Sequence, residues 1–353
     1  MWLKITIRKT CLGFIFMLYL SSNLFSQSGY RDQAQFISSF NFGDRIVPSV
    51  PSKDQKIRVI IDSDAKNEID DQWAITLALL SSERFEIVGF IAANYNNYWG
   101  GGPASIDNSY QEIKLILDKM GLDDRYPVYK GSHPMQYKYE PSESEGVDFI
   151  IEQALKSTLQ DPIWVIALGS ATNLASAYLK NHEIIDHVIF FWHGRTRWPE
   201  KCWNFNVFGD RYAAATLFDA PLPLILFDTG THLTCPMNES ERHVKPYGEI
   251  GAYLHGYRLI REEFQSDNKG FFDLGDIAAL VDPDIAQWEV VNCPEVDPDL
   301  SYQFKGTRGK ILRCYYIDRD RTFQLLYDKL EHEYERSFSF SGDLPVHFNP
   351  VEP

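Results

Sequence analysis

The chain has 353 residues, 44% of them hydrophobic and 24% charged, enough for one large domain or two ordinary ones and unlike a disordered, collagen-like or coiled-coil chain. Its 34 Lys and Arg against 49 Asp and Glu give a net charge of −15, a surface that repels phosphate backbones and speaks against nucleic acid as a partner. Aromatic residues reach 14%, which suits a large core and equally a pocket for flat or sugar-like ligands.

In chain order, residues 1–26 read as a secretory signal. Lys4, Arg8 and Lys9 form a positive start, Cys11 to Leu20 a short apolar stretch, and Ser26 a small residue at the cut before Gln27. An apolar run of about ten residues is short for a membrane span of about 20. The expectation is a secreted or periplasmic protein with no membrane association once the signal is removed. Residues 27–54 are polar and irregular and read as a leader. Residues 55–290 read as an α/β domain. Arg58–Ile61 is a buried strand, Gln72–Leu80 a helix, Phe85–Ile91 a strand, Asn108–Met120 and Val147–Leu159 helices, and Ile163–Leu168 a strand. Asn173–Lys180 is a helix, His187–Trp192 a strand, Asp210–Phe218 a helix and Leu222–Phe227 a strand. Strands alternating with helices predict a doubly wound, mostly parallel sheet covered on both faces. Ligands of such sheets bind at the C-terminal ends of the strands. Residues 291–353, rich in turns and alternating segments, read as a C-terminal extension packed on the same domain. After signal removal Cys202, Cys235, Cys293 and Cys314 remain. They are too scattered for a disulfide scaffold, they contain no CxxC, and one or two bridges stay open.

The first strand runs into Asp62-Ser63-Asp64-Ala65-Lys66-Asn67-Glu68-Ile69-Asp70-Asp71. One or two aspartates would suit the N-terminus of the next helix. Four at one strand end repel each other unless they share protons or a cation. An all-oxygen donor set implies a hard metal, Ca²⁺ or Mg²⁺.

This segment resembles the opening D-x-D-P-G-x-D-D signature of the inosine-uridine nucleoside hydrolase family. Further blocks resemble the family in its own order. They are Val88–Asn94, Pro127–Gly131, Leu168–Asn173, Asn204–Val207 with Asp210 and Ala213–Ala215, and Gly275–Asp276 with Ala278 and Ala279. The resemblance spans about residues 57–284 and implies a Rossmann-like fold of the nucleoside hydrolase type. It implies that Asp64, Asp71 and Asp276, with the backbone carbonyl of Leu168, hold Ca²⁺. Asp70 falls on the general base for a metal-activated water, and Asn94, Asn204 and Asn206 fall on positions that contact the ribose. Cleaving an N-glycosidic bond builds positive charge on the ribose, which clustered carboxylates stabilise. The implied substrate is a small-molecule riboside, and homo-oligomerisation is left open.

Four departures set the chain apart. The P-G of the signature becomes Ala65-Lys66-Asn67-Glu68, two residues longer. Asn204 stands where the family has a ribose-binding Glu. Gly275 stands where it has a His that protonates the leaving base. The upstream ribose-contact Asn has no counterpart between Gly194 and Trp203. His193, at a strand end, and His232 are the candidate substitute acids, although a hydrogen-bonded structural histidine is the plainer reading of each alone. Trp203, beside Asn204, is a candidate for stacking on base or sugar, or for core packing.

Two rival readings stay in view. Val59 to Asp64 also fits the hydrophobic-D-x-D opening of a haloacid-dehalogenase-type Mg²⁺ phosphatase, although that leaves Asp70 and Asp71 unexplained. Asn204 and Gly275 also fit a non-catalytic Ca²⁺-dependent nucleoside or sugar binder.

Overall fold

The computed structural model describes residues 33–35, 37, 39–42, 45–96 and 101–341, the side chains of 337–341 excepted. The signal segment 1–26 lies outside the described residues.

Among these residues an eight-stranded sheet forms the centre. Its first strands are β1 (Ile57–Ser63), β2 (Phe85–Ala92), β3 (Val128–Lys130), β4 (Ile163–Ala167), β5 (Val188–His193) and β6 (Leu224–Phe227). β7 (Ala286–Asn292) and β10 (Lys310–Ile317) complete it, while β8 (Glu295–Val296) and β9 (Tyr302–Gln303) pair apart as a small antiparallel ribbon. The order across the sheet is β3-β2-β1-β4-β5-β6-β10-β7, parallel throughout except for the antiparallel pair of β10 with the edge strand β7. Strand β4 (IWVIA) is apolar throughout and β1 is apolar from Val59 to Ile61, because a parallel strand covered on both faces has no wet side. The chain leaves β1 toward β2 on one side and returns through β4 on the other. The switch point therefore lies between β1 and β4, and a crevice opens beyond their C-terminal ends.

Within described residues 57–341, ten helices cover the sheet: α1 (Asp70–Leu79), α2 (Ser105–Lys119), α3 (Glu145–Leu155), α4 (Thr172–Lys180), α5 (Phe205–Gly209), α6 (Arg211–Asp219), α7 (Met237–His243), α8 (Gly248–Tyr257), α9 (Phe272–Val281) and α10 (Arg319–Ser341). Two matter most for the site. Every residue of α1 is buried, and so is almost every residue of α9. The two pack on each other with Trp73 against Phe271, ring centroids 4.2 Å apart. Helices apolar all round belong in the middle of a large domain. Their N-termini meet at the crevice.

Each element expected between 57 and 227 is present, with ends displaced by at most four residues. The boundary drawn at 290 does not divide the sheet, because β10 sits inside it between β6 and β7. Cys202, Cys235, Cys293 and Cys314 are all buried and unbridged. No helix of the described residues is long and apolar enough to cross a membrane.

Candidate active site

A cavity of roughly 500 Å³ opens at the C-terminal ends of β1, β4 and β5. Asp64 reaches its floor from the end of β1, Asp70 and Asp71 from the first turn of α1, and Asp273 from the first turn of α9. Ligand oxygens of Asp70, Asp71 and Asp273 all lie within 4.8 Å of one another, and all three residues are buried. The helix dipoles favour carboxylates at both N-termini.

Local contacts fix each group. Asp70 Oδ2 accepts the backbone N–H of Phe272 at 3.0 Å and of Asp273 at 3.4 Å, so an acid on one helix caps the other. Asp71 accepts from the Ser63 hydroxyl at 2.5 Å, and Asp64 from the Asn67 amide at 3.0 Å. Gly169 makes room for Asp64: a Cβ there would stand 2.9 Å from Asp64 Oδ1. Behind the floor, fully buried Asp62 is tied to the Asn173 amide at 3.1 and 3.2 Å.

The cations of the long loop after β1 do not neutralise this floor. Lys66 turns to Glu112 at 2.5 Å, and Glu68 is matched by Lys269, also at 2.5 Å. The two extra loop residues are thus pinned to α2 and to the approach to α9. Burial, reinforced by Asp70, pushes Asp71 up to about 7. Burial, reinforced by Asp71 and Asp70, raises Asp64 well above the carboxylate range. Burial, then Asp70 and Asp71, does the same to Asp273. Left alone, these groups hold protons; a cation replaces them with less strain. Four oxygen donors of this kind fit a hard divalent ion.

Of the residues expected at the site, the structure brings Asp64, Asp70, Asp71, Leu168, His193, Asn204 and Asn206 to the cavity wall. Asn206 donates to the Leu168 carbonyl at 2.6 Å and to the His193 carbonyl at 2.9 Å, joining the ends of β4 and β5. Asn204 caps α5, its Oδ1 accepting from Val207 N at 2.8 Å. Asn94 lies in a smaller hollow beside Asp64 and Asn206, donating to the Ser132 carbonyl at 2.8 Å and to Thr172 at 2.9 Å.

Three expected residues do not line the cavity, although Asp276 offers a ligand atom within 4.8 Å of those of His193 and Asp273, which do. Asp276 lies one turn deeper in α9 than Asp273, fully buried, with its Oδ2 2.6 Å from His193 Nδ1. Burial raises it to about 6, with His193 opposing. His232 contacts the Ile317 carbonyl at 2.6 Å and stacks on Tyr316, away from the cavity wall. Trp203 faces a neighbouring hollow, edge-on to Phe208.

Gly275 also changes meaning. A Cβ there would come within 2.6 Å of Leu233 and 2.9 Å of Phe227. That position faces the core, so no imidazole could enter the cavity from it. The residue preceding the cavity-facing acid of α9 is Phe272. Residues not anticipated at the cavity include Asp273, Phe205, Arg195 and Lys269.

A model of the inosine-uridine preferring nucleoside hydrolase family matches residues 59–323. A plant nucleoside hydrolase superposes with a TM-score of 0.62 at 19% identity, covering 78% of this chain and 99% of its own. A purine-preferring ribonucleoside hydrolase from Gardnerella vaginalis gives 0.60 at 18%, covering 79% and 99%. An inosine-uridine preferring nucleoside hydrolase from Bacillus anthracis gives 0.60 at 16%, covering 78% and 99%. No curated protein sequence matches the chain. The likeness to the solved structures shows the fold, and the family match sets aside the phosphatase reading.

Proposed function

The chain belongs to the inosine-uridine preferring nucleoside hydrolase family, hydrolases acting on N-glycosyl compounds, and we propose that it cleaves a ribonucleoside or related N-riboside with Ca²⁺ as its cofactor. The observation that carries this is the group of three buried carboxylates, Asp70, Asp71 and Asp273, within 4.8 Å of one another on the cavity floor.

Asp64, Asp71 and the Leu168 carbonyl would hold the cation, with Asp273 in the place first given to Asp276. When bound, such an ion lowers the pKa of water and fixes the ribose diol. Asp70, anchored by two backbone amides of α9, takes the proton of the attacking water. The ring of acids stabilises the positive charge that develops on the ribose. Asn206 and Asn204 face the sugar, and Asn94, its Oδ1 without a hydrogen-bond partner, lines the adjoining hollow with Asp64. With Phe272 before Asp273, α9 brings no imidazole. His193 is the proton donor at hand for the leaving base, oriented by Asp276 through Nδ1. The charge pattern of residues 1–26 supports export to the periplasm or medium.

The test is a hydrolysis screen over nucleosides and other N-ribosides, with and without chelator, followed by Ca²⁺ addition. Ribose release that chelation stops and Ca²⁺ restores is expected. Inosine and uridine should be poor substrates beside a nitrophenyl riboside, whose leaving group needs little protonation. Inosine hydrolysis that survives His193→Ala would remove His193 from the mechanism. Chelator-resistant turnover would sink the metal assignment.

A further inference from the structure

Arg195 stands on the wall of the same cavity, two residues beyond the end of β5. Its guanidinium carbon lies 4.6 Å from the centroid of the Phe272 ring, and Phe272 immediately precedes Asp273. Among the described residues Arg195 has no ion pair and no hydrogen bond, unlike the other partly buried arginines around the domain. Arg313 pairs with Asp228 and Glu289, Arg319 with Glu239, and Arg258 donates to the carbonyls of Cys235, Pro236 and Ser266. In a chain with 49 acids to 34 bases, a cavity-wall arginine that meets neither an acid nor a carbonyl is left with its charge unmatched. Lys269, the other cation of the cavity, already has Glu68 at 2.5 Å.

The geometry defines what Arg195 can receive. Its guanidinium sits over the Phe272 ring, which offers no oxygen or nitrogen acceptor, so its N–H groups remain for a ligand. A carboxylate or a phosphate matches them with two parallel hydrogen bonds. Such an anion cannot rest on the cavity floor, where Asp64, Asp70, Asp71 and Asp273 would repel it. It can rest at Arg195 while a neutral ribose occupies the floor.

We propose that Arg195 is a specificity residue that receives an anionic oxygen group on the substrate, so that the preferred substrate is an acidic N-riboside rather than a neutral nucleoside. This rests on the riboside-hydrolase reading above. The anion has two sources of the same chemistry, a carboxylate on the leaving base or a phosphate on the sugar.

The experiment compares kcat/KM within pairs that differ by one anionic group. Uridine with orotidine and nicotinamide riboside with nicotinic acid riboside place a carboxylate on the base. Inosine with inosine 5′-monophosphate places a phosphate on the sugar. Wild type should favour the anionic member in one of the two classes by about 10- to 100-fold, the worth of a charge-assisted contact. Arg195→Met should erase that ratio, and Arg195→Lys should keep part of it, since charge survives while the planar fork is lost. An anion-to-neutral ratio at or below one in every pair would overturn the proposal, as would a ratio unchanged in Arg195→Met. If no riboside is turned over, the hydrolase reading fails by itself. The same pairs are then compared by calorimetric binding, where a wild-type anion preference lost in Arg195→Met supports Arg195 and its absence overturns it.

Discussion

Buried acid is handled in two opposite ways in this molecule. On the far side of the sheet, Asp219 ends α6 and is buried, but it meets Lys138, lies 3.5 Å from Arg308 Nε, and accepts the Tyr139 hydroxyl at 2.6 Å. At the crevice, Asp64, Asp70, Asp71 and Asp273 are buried with no lysine or arginine paired to them, His193 Nδ1 alone standing 3.4 Å from Asp273 Oδ1, while the lysines nearby turn to Glu112 and Glu68. Where a carboxylate serves only the fold, the chain supplies its own counter-charge. Where none is supplied, the counter-charge comes from outside, and the metal-free fold carries the repulsion. Sites of this kind trade stability for function.

The largest effect that sharpens this contrast lies in turnover. Asp70→Asn should lower kcat by about 10²–10⁴-fold with KM little changed, as expected for loss of a general base. Near-normal turnover would leave Asp70 with its visible structural task, capping α9. Asp219→Ala should do the reverse. It leaves Lys138 without its acid and Arg308 with only Glu295, 3.8 Å away, and should cost about 3 kcal/mol of stability in denaturant unfolding, with kcat preserved. If Asp219→Ala proves harmless, the pairing on that side is ornamental and the contrast fails.

A smaller effect separates the two acids of α9. Asp273→Asn should weaken Ca²⁺ binding in calorimetry by at least the roughly 10–100-fold typical of outer ligand-shell changes. Asp276→Asn should weaken it less and act mainly on the His193-dependent step. A larger loss of Ca²⁺ affinity in Asp276→Asn would return Asp276 to the ligand set.

That pair also shows what a sequence can and cannot tell. The sheet was legible because apolar runs and amphipathic stretches are local signals, and so was the Asp64–Asp71 cluster. The choice between Asp273 and Asp276 depends on where α9 begins. Its cap is Asp70, 202 residues away, and no side chain of its own marks the start. No local pattern encodes that. The strand β10 was read only as part of an extension, because its mixed face in Ile-Leu-Arg-Cys-Tyr-Tyr shows alternation but not a place between β6 and β7. At Trp203 and Phe205 the aromatic residues were visible but their directions were not. Phe205 lines the cavity, and Trp203 turns to the next hollow.

The smallest effect is the most direct reading of the stored repulsion. Burial, then Asp70, lifts Asp71 from 3.8 to about 7 in the folded chain. Between about pH 4 and 7 the metal-free fold therefore keeps a proton that the unfolded chain has lost. Stability must fall as pH rises through that window, and Asp62, which burial raises to about 8, carries the fall somewhat further. The raised Asp64 and Asp273 act in the same direction. Melting temperatures of the chelated protein should decline from about pH 4 to 7, and Ca²⁺ should restore them at pH 8 but hardly at pH 5, where protons already fill the site. Asp71→Asn removes one charge without changing shape. It should flatten the decline and stabilise the chelated protein at pH 8 by about 1 kcal/mol, a fraction of the roughly 4 kcal/mol ceiling that a shift of about three pKa units sets, while reducing the rescue by Ca²⁺. A melting temperature that instead climbs from pH 4 to 7 without metal would mean that the fold stabilises these carboxylates in their charged form. The crevice would then be no different in kind from Asp219.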